Sequence, residues 1–222
     1  MELLDLWELF RDAAPILLKG CGYTLMFALG AMVGGTVLGF PLAIARVLPN
    51  KALRGAAAAY VSMMRGTPLL VQVFVIYYGL PSIGIEFSPF TAGLLALSLN
   101  AAAYLSETLR GALNGVSRDQ WAAGYSLGLT YAQALRFVVL PQALRTALPG
   151  MSNTLISLIK DTSLVSVITV TELMLATKEL IAATFRPLPL YLAAAALYWL
   201  MSLAFERLQA WQEKRLNRAH AR

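Results

Sequence analysis

Apolar residues of this chain gather in long stretches with few charges, separated by shorter polar segments. A helix needs about 20 apolar residues to cross the hydrocarbon core of a bilayer, and five stretches approach or exceed that length. These predicted spans run from about Gly20 to Val47, Ala56 to Leu80, Phe90 to Leu113, Leu144 to Ile159 and Leu188 to Phe205. A further stretch, Ser163 to Ile181, is only moderately apolar, and we interpret it as re-entrant or interfacial. The pattern predicts an all-α integral membrane protein with about five transmembrane helices.

The first residues of the chain follow a different pattern. Leu3, Leu6, Trp7 and Phe10 recur at helical spacing, with acidic residues between them. This spacing predicts a short amphipathic helix over residues 1–14 that lies at the membrane surface. A secretory signal peptide would begin with basic residues instead, so we do not expect this segment to be one.

Composition supports the membrane assignment and narrows the chemistry. Of the 222 residues 58% are hydrophobic and only 14% are charged, whereas a soluble domain carries about 25% charged residues. Cys21 is the only cysteine and His220 the only histidine, so we expect no disulfide, no metal site and no imidazole catalysis. The chain also lacks a phosphate-binding G-x-x-x-x-G-K-[ST] segment. We therefore expect one transmembrane domain, residues 1–222, that holds no cofactor and is not an enzyme.

Lysine and arginine are distributed unevenly between the two sides that these spans would create. With the amino terminus outside, the inside loops and the tail hold Arg46, Lys51, Arg54, Arg110, Arg118, Arg136, Arg145, Arg207, Lys214, Arg215, Arg218 and Arg222. The outside holds only Arg11, Lys19, Lys160, Lys178 and Arg186, and Arg65 lies near the inner face. Because cytoplasmic loops are enriched in these residues, we expect a cytoplasmic carboxyl terminus with a basic tail, residues 206–222. This charge borders apolar segments, which argues against binding to nucleic acid.

The longest inside loop, residues 114–141, has a pattern of its own. Asp119 to Leu127 can form a short helix that Gly128 ends. A short exposed helix held between two spans is suited to docking into a groove of a partner protein.

At this loop the chain resembles the permease subunits of bacterial ABC importers, in particular the polar amino-acid uptake family. The family pattern is Glu-Ala-Ala, three residues, Gly, nine residues, Ile-x-Leu-Pro. The chain matches it at Ala123, Gly128, Leu140 and Pro141. It departs at Ala122 in place of glutamate, Gly124 in place of alanine and Val138 in place of isoleucine. The resemblance implies that an ATPase docks at Arg118, Asp119, Gln120, Trp121, Ala122, Ala123, Gly124 and Gly128.

Further motifs extend the resemblance over about Leu17 to Arg218. They are Arg65 to Gln72 (RGTPLLVQ), Lys160 to Val165 (KDTSLV), and Ser98 to Asn100 with Tyr104 and Glu107 in the third span. The resemblance implies a type I ABC importer fold in a bacterial inner membrane, working by alternating access. It also implies four kinds of partner: a second permease copy, two ATP-binding subunits that hold ATP and Mg, a periplasmic amino-acid-binding protein and the lipid bilayer.

Several blocks look most like L-cystine permeases: Leu18 to Leu25, Ile76 to Pro81, Gly84 to Glu86 and Tyr191 to Ala194. L-cystine is therefore the expected substrate, with arginine, histidine, glutamine or glutamate as alternatives. A homodimer is expected first and a heterodimer second. An ion-coupled secondary transporter would predict interrupted helices in two matching halves, and five spans do not divide in that way.

Polar residues within the spans are the candidates for a substrate path, because they are costly in a bilayer and usually face a cavity or a partner. The candidates are Asn100, Gln72 and Tyr104 within predicted spans, and Asp161 and Ser163 just after the fourth span. For Asn100 an interhelical hydrogen bond is an equal alternative to substrate contact. For Asp161 the alternatives are binding of a substrate ammonium group and capping of the segment that follows. Glu107 is expected to form a structural ion pair with Arg65 instead.

Two pairs of glycines lie four residues apart in the first span: Gly30 with Gly34, and Gly35 with Gly39. This spacing lets the backbones of two membrane helices approach closely. Glycine is also common in membrane helices generally, so both interpretations stay open.

Overall fold

The computed structural model describes the backbone of residues 3–220 and the side chains of residues 5–214, and within these residues it contains helices but no strand. The α-helices are α1 (Leu3–Val47), α2 (Lys51–Gly66), α3 (Leu69–Phe74), α4 (Pro89–Gly115), α5 (Arg118–Ser126), α6 (Tyr131–Ala134), α7 (Leu140–Asp161), α8 (Leu173–Thr184) and α9 (Pro187–His220). Two π-helical turns, Val75–Gly79 and Leu135–Val139, and two 3₁₀ segments, Leu80–Ile83 and Thr162–Ile168, join some of them. The predicted all-α class is confirmed.

Length and composition separate the helices that can cross a membrane from those that cannot. Among the described residues, α1, α4 and α9 are each long and apolar enough, and α2 with the segment Leu69–Ile83 adds a fourth if the two count as one span. Helix α7 coincides with the predicted fourth span, and its 22 residues extend over about 33 Å. Helix α8 has 12 residues and reaches only about 18 Å, too short to cross. This short length agrees with the interpretation of Ser163 to Ile181 as a re-entrant or interfacial segment.

The prediction of one continuous second span from Ala56 to Leu80 is wrong. The chain bends by 105° between α2 and the segment Leu69–Ile83. Proline disfavours helical backbone at the residue before it, and Thr67 is accordingly extended, with φ −115° and ψ 144°. Apolar composition hid this bend, because both halves of the span are apolar on one face.

The amino-terminal segment is helical as predicted but is not a separate surface helix. It forms the first turns of α1, which runs unbroken for 45 residues through Pro15. Ala13 and Leu17 are buried in one cluster with Leu173 and Leu190 of α8 and α9. Packing against protein thus continues the helix where we expected a break.

At the other end of the chain, α9 carries the tail onward as helix to His220. The side chains of Arg215 and Arg218 in the predicted basic tail, and all of Arg222, lie outside the described residues.

Helix α4 lies at the centre of the fold, packed against α1, α2, α3 and α7. Its contact with α1 is the most extensive, and the four glycines of the first span face it. A methyl group added at Gly34 would lie 2.5 Å from Ser98 Oγ, and one at Gly39 would lie 2.8 Å from the carbonyl oxygen of Ala102. The glycine pairs therefore permit the close approach of α1 to α4, which was one of the two interpretations of their spacing.

Candidate functional site

A cavity of about 640 Å³ opens where α2 bends into α3. Residues 65–69 form one wall, and side chains of α4 and α7 form the others. Pockets for small molecules typically measure about 300–1,000 Å³. The cavity is therefore large enough for a small polar molecule, and it lies beside the central helix.

The bend is held open by amide side chains. A helix would bond the carbonyl of Met64 to the N–H four residues later, but that residue is Pro68, which has no N–H. Gln72 Nε2 donates to this carbonyl at 2.8 Å and to Thr67 Oγ1 at 2.9 Å. Asn100 Nδ2 donates to the same carbonyl at 3.4 Å. Two side chains thus satisfy the backbone group that the proline leaves unpaired.

Asn100 makes the interhelical hydrogen bond that was one of its two alternatives, and it also lies on the cavity wall. Its Nδ2 also donates to Gln72 Oε1 at 3.1 Å, which is a hydrogen bond between helices. The residue also lines the cavity, and no described residue donates to its Oδ1. Gln72 is buried behind the bend and is not part of the cavity wall.

Helix α7 contributes cavity residues that sequence reasoning missed, namely Asn153, Thr154 and Ser157. Together with Asp161 they form a polar stripe, because residues three or four apart share one face of a helix. Asn153, Ser157 and Asp161 are each four residues apart within an otherwise apolar span. That spacing was the signal that could have identified them.

Asp161 lines the cavity near the carboxyl end of α7. Its side chain makes no capping hydrogen bond to the 3₁₀ segment Thr162–Ile168, so the capping alternative does not describe this structure. Within the described part of the chain no salt bridge or hydrogen bond to its carboxylate is found. An unpaired carboxylate at this position is available to a positively charged group in the cavity.

Of the two remaining path candidates, Tyr104 lies on the cavity wall and Ser163 does not. Tyr104 lines the cavity, and the guanidinium of Arg65 lies 5.3 Å from the centre of its ring. Ser163 is not part of the wall, and its carbonyl accepts a hydrogen bond from Ser166 Oγ at 2.7 Å. The structure therefore brings Asn100, Tyr104 and Asp161 together and leaves Gln72 and Ser163 outside the cavity.

Glu107 lies on α4 one turn beyond Tyr104, and three arginines surround it. The expected pair with Arg65 is present at 3.6 Å. Arg110 makes shorter contacts, with Nε 2.8 Å from Oε1 and Nη2 3.1 Å from Oε2. Arg46 of α1 also bonds Oε1. Sequence reasoning missed Arg46 and Arg110, although Arg110 follows Glu107 by three residues on one helix face.

The short helix predicted over Asp119 to Leu127 is present as α5, and Gly128 follows it with a φ of 76°. This left-handed conformation favours glycine. Trp121 stacks on Tyr131 with ring centres 5.2 Å apart, which fixes α5 against the rest of the loop. Gly124 is buried, and a methyl group there would lie 3.3 Å from Ala134 Cβ.

The remaining docking candidates form an exposed surface around α5: Arg118, Asp119, Gln120, Ala122, Ala123 and Gly128. Leu127, which ends the helix, is 81% exposed. Ala122, where the family pattern has glutamate, takes part in this surface without a charge.

A second buried carboxylate, Glu172, was missed by sequence reasoning. It accepts hydrogen bonds from the hydroxyl of Tyr198 at 2.5 Å, from the N–H of Leu175 at 2.9 Å and from Thr24 Oγ1 at 3.4 Å. These bonds join α8 to α1 and α9. By joining three helices through hydrogen bonds, Glu172 contributes to the packing of the fold.

Comparison with known proteins places this arrangement in a family. Residues 35–218 match the family described as binding-protein-dependent transport system inner membrane component. The chain is 44% identical over 192 residues to the probable amino-acid ABC transporter permease protein YckA of Bacillus subtilis (strain 168), covering 86% of this chain and 85% of that protein. It is 41% identical over 214 residues to the L-cystine transport system permease protein TcyB of the same organism, covering 96% and 92% respectively.

A solved structure described as an amino acid ABC transporter with histidines has the same fold. It superimposes with a TM-score of 0.89 at 33% identity, over 97% of this chain and 99% of the other. The sequence match and the shared fold both cover nearly the whole chain. The chain therefore belongs to the family of binding-protein-dependent transport system inner membrane components, where it groups with the permease subunits of amino-acid ABC transporters.

Proposed function

We propose that this permease carries a zwitterionic amino acid, L-cystine first among them, through the cavity at the bend between α2 and α3. The observation that carries the proposal is the unpaired carboxylate of Asp161 on the wall of that cavity. Lys160 acts on this carboxylate only from beyond salt-bridge distance, and a carboxylate that no cation contacts directly is costly inside a membrane protein. A substrate ammonium group would supply the missing charge and form a charge-assisted hydrogen bond.

Asn100 and Tyr104 complete the proposed path. Asn100 has a free Oδ1 after donating to Gln72 and Met64, and an amide oxygen can accept a hydrogen bond from the same ammonium group. Tyr104 is partly exposed to the cavity and carries a hydroxyl that can both donate and accept. We assign substrate contact to these three residues, and we assign Gln72 to the support of the bend.

Coupling to ATP would proceed through α5. Its exposed residues and Leu127 project from the helical bundle, and the stack of Trp121 on Tyr131 makes the surface rigid. In the proposed complex two ATPase subunits bind this surface on two permease copies and hold ATP and Mg. Closure of the ATPases moves α5, and through it the helices around the cavity.

The proposed assembly is a homodimer of permeases in the bacterial inner membrane, with the amino terminus outside and the carboxyl terminus in the cytoplasm. A periplasmic binding protein delivers the substrate. Support for L-cystine comes from the relative TcyB. The solved structure named with histidines supports histidine as the second candidate, beside arginine, glutamine and glutamate.

The test is ATPase activity of the permease–ATPase complex in nanodiscs with its binding protein, with L-cystine, L-arginine, L-histidine, L-glutamine and L-glutamate added in turn. We expect L-cystine to stimulate hydrolysis. Replacement of Asp161 by asparagine removes a charge-assisted bond and should reduce transport into proteoliposomes about tenfold or more. Ser163→Ala, two residues away and outside the cavity wall, is the matched control and should transport normally.

Different results would contradict different parts of the proposal. Stimulation by another amino acid would discard L-cystine and keep the importer. Equal transport by Asp161→Asn and the wild type would exclude this cavity as the path. Failure of any ATPase to bind the permease on co-expression would exclude α5 as its docking surface.

A further inference from the structure

Glu107 is paired with more positive charge than one carboxylate can neutralise. Arg110 bonds both of its oxygens, at 2.8 and 3.1 Å, and Arg46 bonds Oε1 as well. Arg65 approaches only to 3.6 Å, beyond the range of a normal hydrogen bond. Arg46 and Arg110 therefore suffice to hold Glu107, and Arg65 adds a charge that this cluster does not require.

Arg65 differs from the other two arginines in where its side chain lies. It is 45% exposed, against 17% for Arg46 and 32% for Arg110. Among the three, only Arg65 lines the cavity. The ring of Tyr104, which also lines the cavity, lies 5.3 Å from its guanidinium, and such cation–π contact helps to hold the group in position. A positioned guanidinium on a cavity wall can bind a carboxylate with two parallel hydrogen bonds.

The described cavity wall contains one cation and one anion, Arg65 and Asp161. Its other polar side chains are neutral amides and hydroxyls, among them Asn153, Thr154 and Ser157. Resting on the proposed function, we propose that Arg65 binds the α-carboxylate of the substrate while Asp161 binds its α-ammonium. The α-carboxylate and α-ammonium of one substrate molecule then pair with the two charged side chains of the cavity wall.

This assignment determines the class of substrate. A cationic side chain would find no second carboxylate on the wall, and an acidic side chain would find no second guanidinium. A charge left without a partner in a confined site is strongly disfavoured. The cavity therefore selects against a side chain that carries a single unbalanced charge. The second ammonium and carboxylate of L-cystine lie on one carbon and balance each other, and the neutral groups on α7 can hydrogen-bond them or the polar side chain of L-glutamine.

The experiment measures binding of radiolabelled L-cystine, L-glutamine, L-arginine and L-glutamate to the permease–ATPase complex in nanodiscs, without the binding protein and its own selectivity. The neutral amino acid that binds best should bind at least about tenfold more tightly than L-arginine and L-glutamate. Arg65→Gln should weaken its binding by about 10–100-fold. Arg65→Lys, which keeps the charge but not the paired geometry, should weaken it by about threefold to tenfold.

Arg110→Gln is the matched control, because it removes an arginine from the same Glu107 cluster but not from the cavity. It should leave binding within about twofold of the wild type, although it removes the stronger contact to Glu107. A carboxylate-free analogue, cystamine for L-cystine or 4-aminobutanamide for L-glutamine, should compete equally well in the wild type and in Arg65→Gln. Bound ATPase and a single symmetric gel-filtration peak establish that each variant is folded.

The outcomes separate this inference from the proposed function. Unchanged binding by Arg65→Gln, or an equal loss in Arg110→Gln, would overturn the role of Arg65. Tightest binding of L-arginine or L-glutamate would overturn the neutral class. Absence of binding of all four amino acids to the wild type would overturn the proposed substrate site itself, and this inference with it.

Discussion

At the scale of single residues, two features determine the structure: hydrogen bonds to unpaired backbone groups and close contacts between helices. Pro68 leaves the carbonyl of Met64 without its helical donor, and Gln72 supplies one at 2.8 Å. Gly39 lets α1 approach the backbone of α4 so closely that a methyl group would lie 2.8 Å from a carbonyl oxygen. The sequence singled out Gln72 and Gly39, but the partner of each, the carbonyl of Met64 and the backbone of Ala102, is visible only in the folded chain.

The close helix contact can be tested by adding one methyl group. Gly39→Ala should destabilise the protein by about 1–3 kcal/mol, because the new methyl group meets the backbone of Ala102 and neither helix can yield without moving. Gly22→Ala in the same helix is the matched control, since nothing lies within 4 Å of a methyl group there. Thermal unfolding of each purified variant gives its unfolding temperature, which is compared with that of the wild type. Equal unfolding temperatures for the two variants would contradict the proposed close contact.

At the scale of elements, the bend between α2 and α3 decides where the cavity lies. One straight helix over these residues would leave no opening beside α4, because the wall formed by residues 65–69 exists only at the break. The RGTPLLVQ motif therefore has a structural explanation in this chain. Pro68 interrupts the helix, Gln72 stabilises the interruption by hydrogen bonding to the carbonyl of Met64, and Arg65 lies on the cavity wall.

Restoring an N–H at the break should straighten this segment. In Pro68→Ala the carbonyl of Met64 regains a helical donor, so α2 and α3 should tend toward one helix. Spin labels on Ala56→Cys and Ile83→Cys, in a Cys21→Ser background diluted with unlabelled protein, report the change as a distance. The backbone separation of these positions in a straight helix is about 40 Å, and Pro68→Ala should shift the distribution toward it.

Pro149→Ala, in the interior of α7, is the control for that measurement and should leave the distance unchanged. If Pro68→Ala also leaves it unchanged, the bend is held by packing and by Gln72 rather than by the proline.

At the scale of the whole molecule, buried polar groups join parts of the chain that are far apart in sequence. Glu172 connects α8 with Thr24 of α1 and Tyr198 of α9 through hydrogen bonds. It is fully buried, so each of its partners would lose a bond that water cannot replace. Glu107 likewise joins helices, because it pairs with Arg46 of α1 and Arg65 of α2.

Removal of this carboxylate should weaken the whole fold. Glu172→Ala leaves the hydroxyls of Tyr198 and Thr24 unpaired, and we expect a loss of about 2–4 kcal/mol and a clearly lower unfolding temperature. Glu179→Ala is the matched control, because Glu179 lies on the same helix but is exposed. Differential scanning fluorimetry in detergent compares the two, and similar unfolding temperatures would show that Glu172 is not a structural centre.

Local pattern alone predicted several features correctly. Apolar stretches placed α4 and α9 within a few residues of their observed starts, because hydrophobic length is a property of neighbouring residues. Gly128 marked the end of α5, because a left-handed residue is a local requirement. The same reasoning located Asn100, Tyr104 and Asp161 as polar residues within apolar surroundings.

The sequence by itself therefore determined the class of protein, the short helix between α4 and α7 and three polar residues of the cavity wall, since each depends on residues close together along the chain. Tertiary structure alone decided the bend at Pro68, the sharing of Glu107 among three arginines and the burial of Glu172. These features join residues tens of positions apart, and their energies depend on distances that no local pattern contains. For that reason the sequence predicted the pair of Arg65 with Glu107, which is present at 3.6 Å, but not the shorter contacts of Arg46 and Arg110 or the position of Arg65 on the cavity wall.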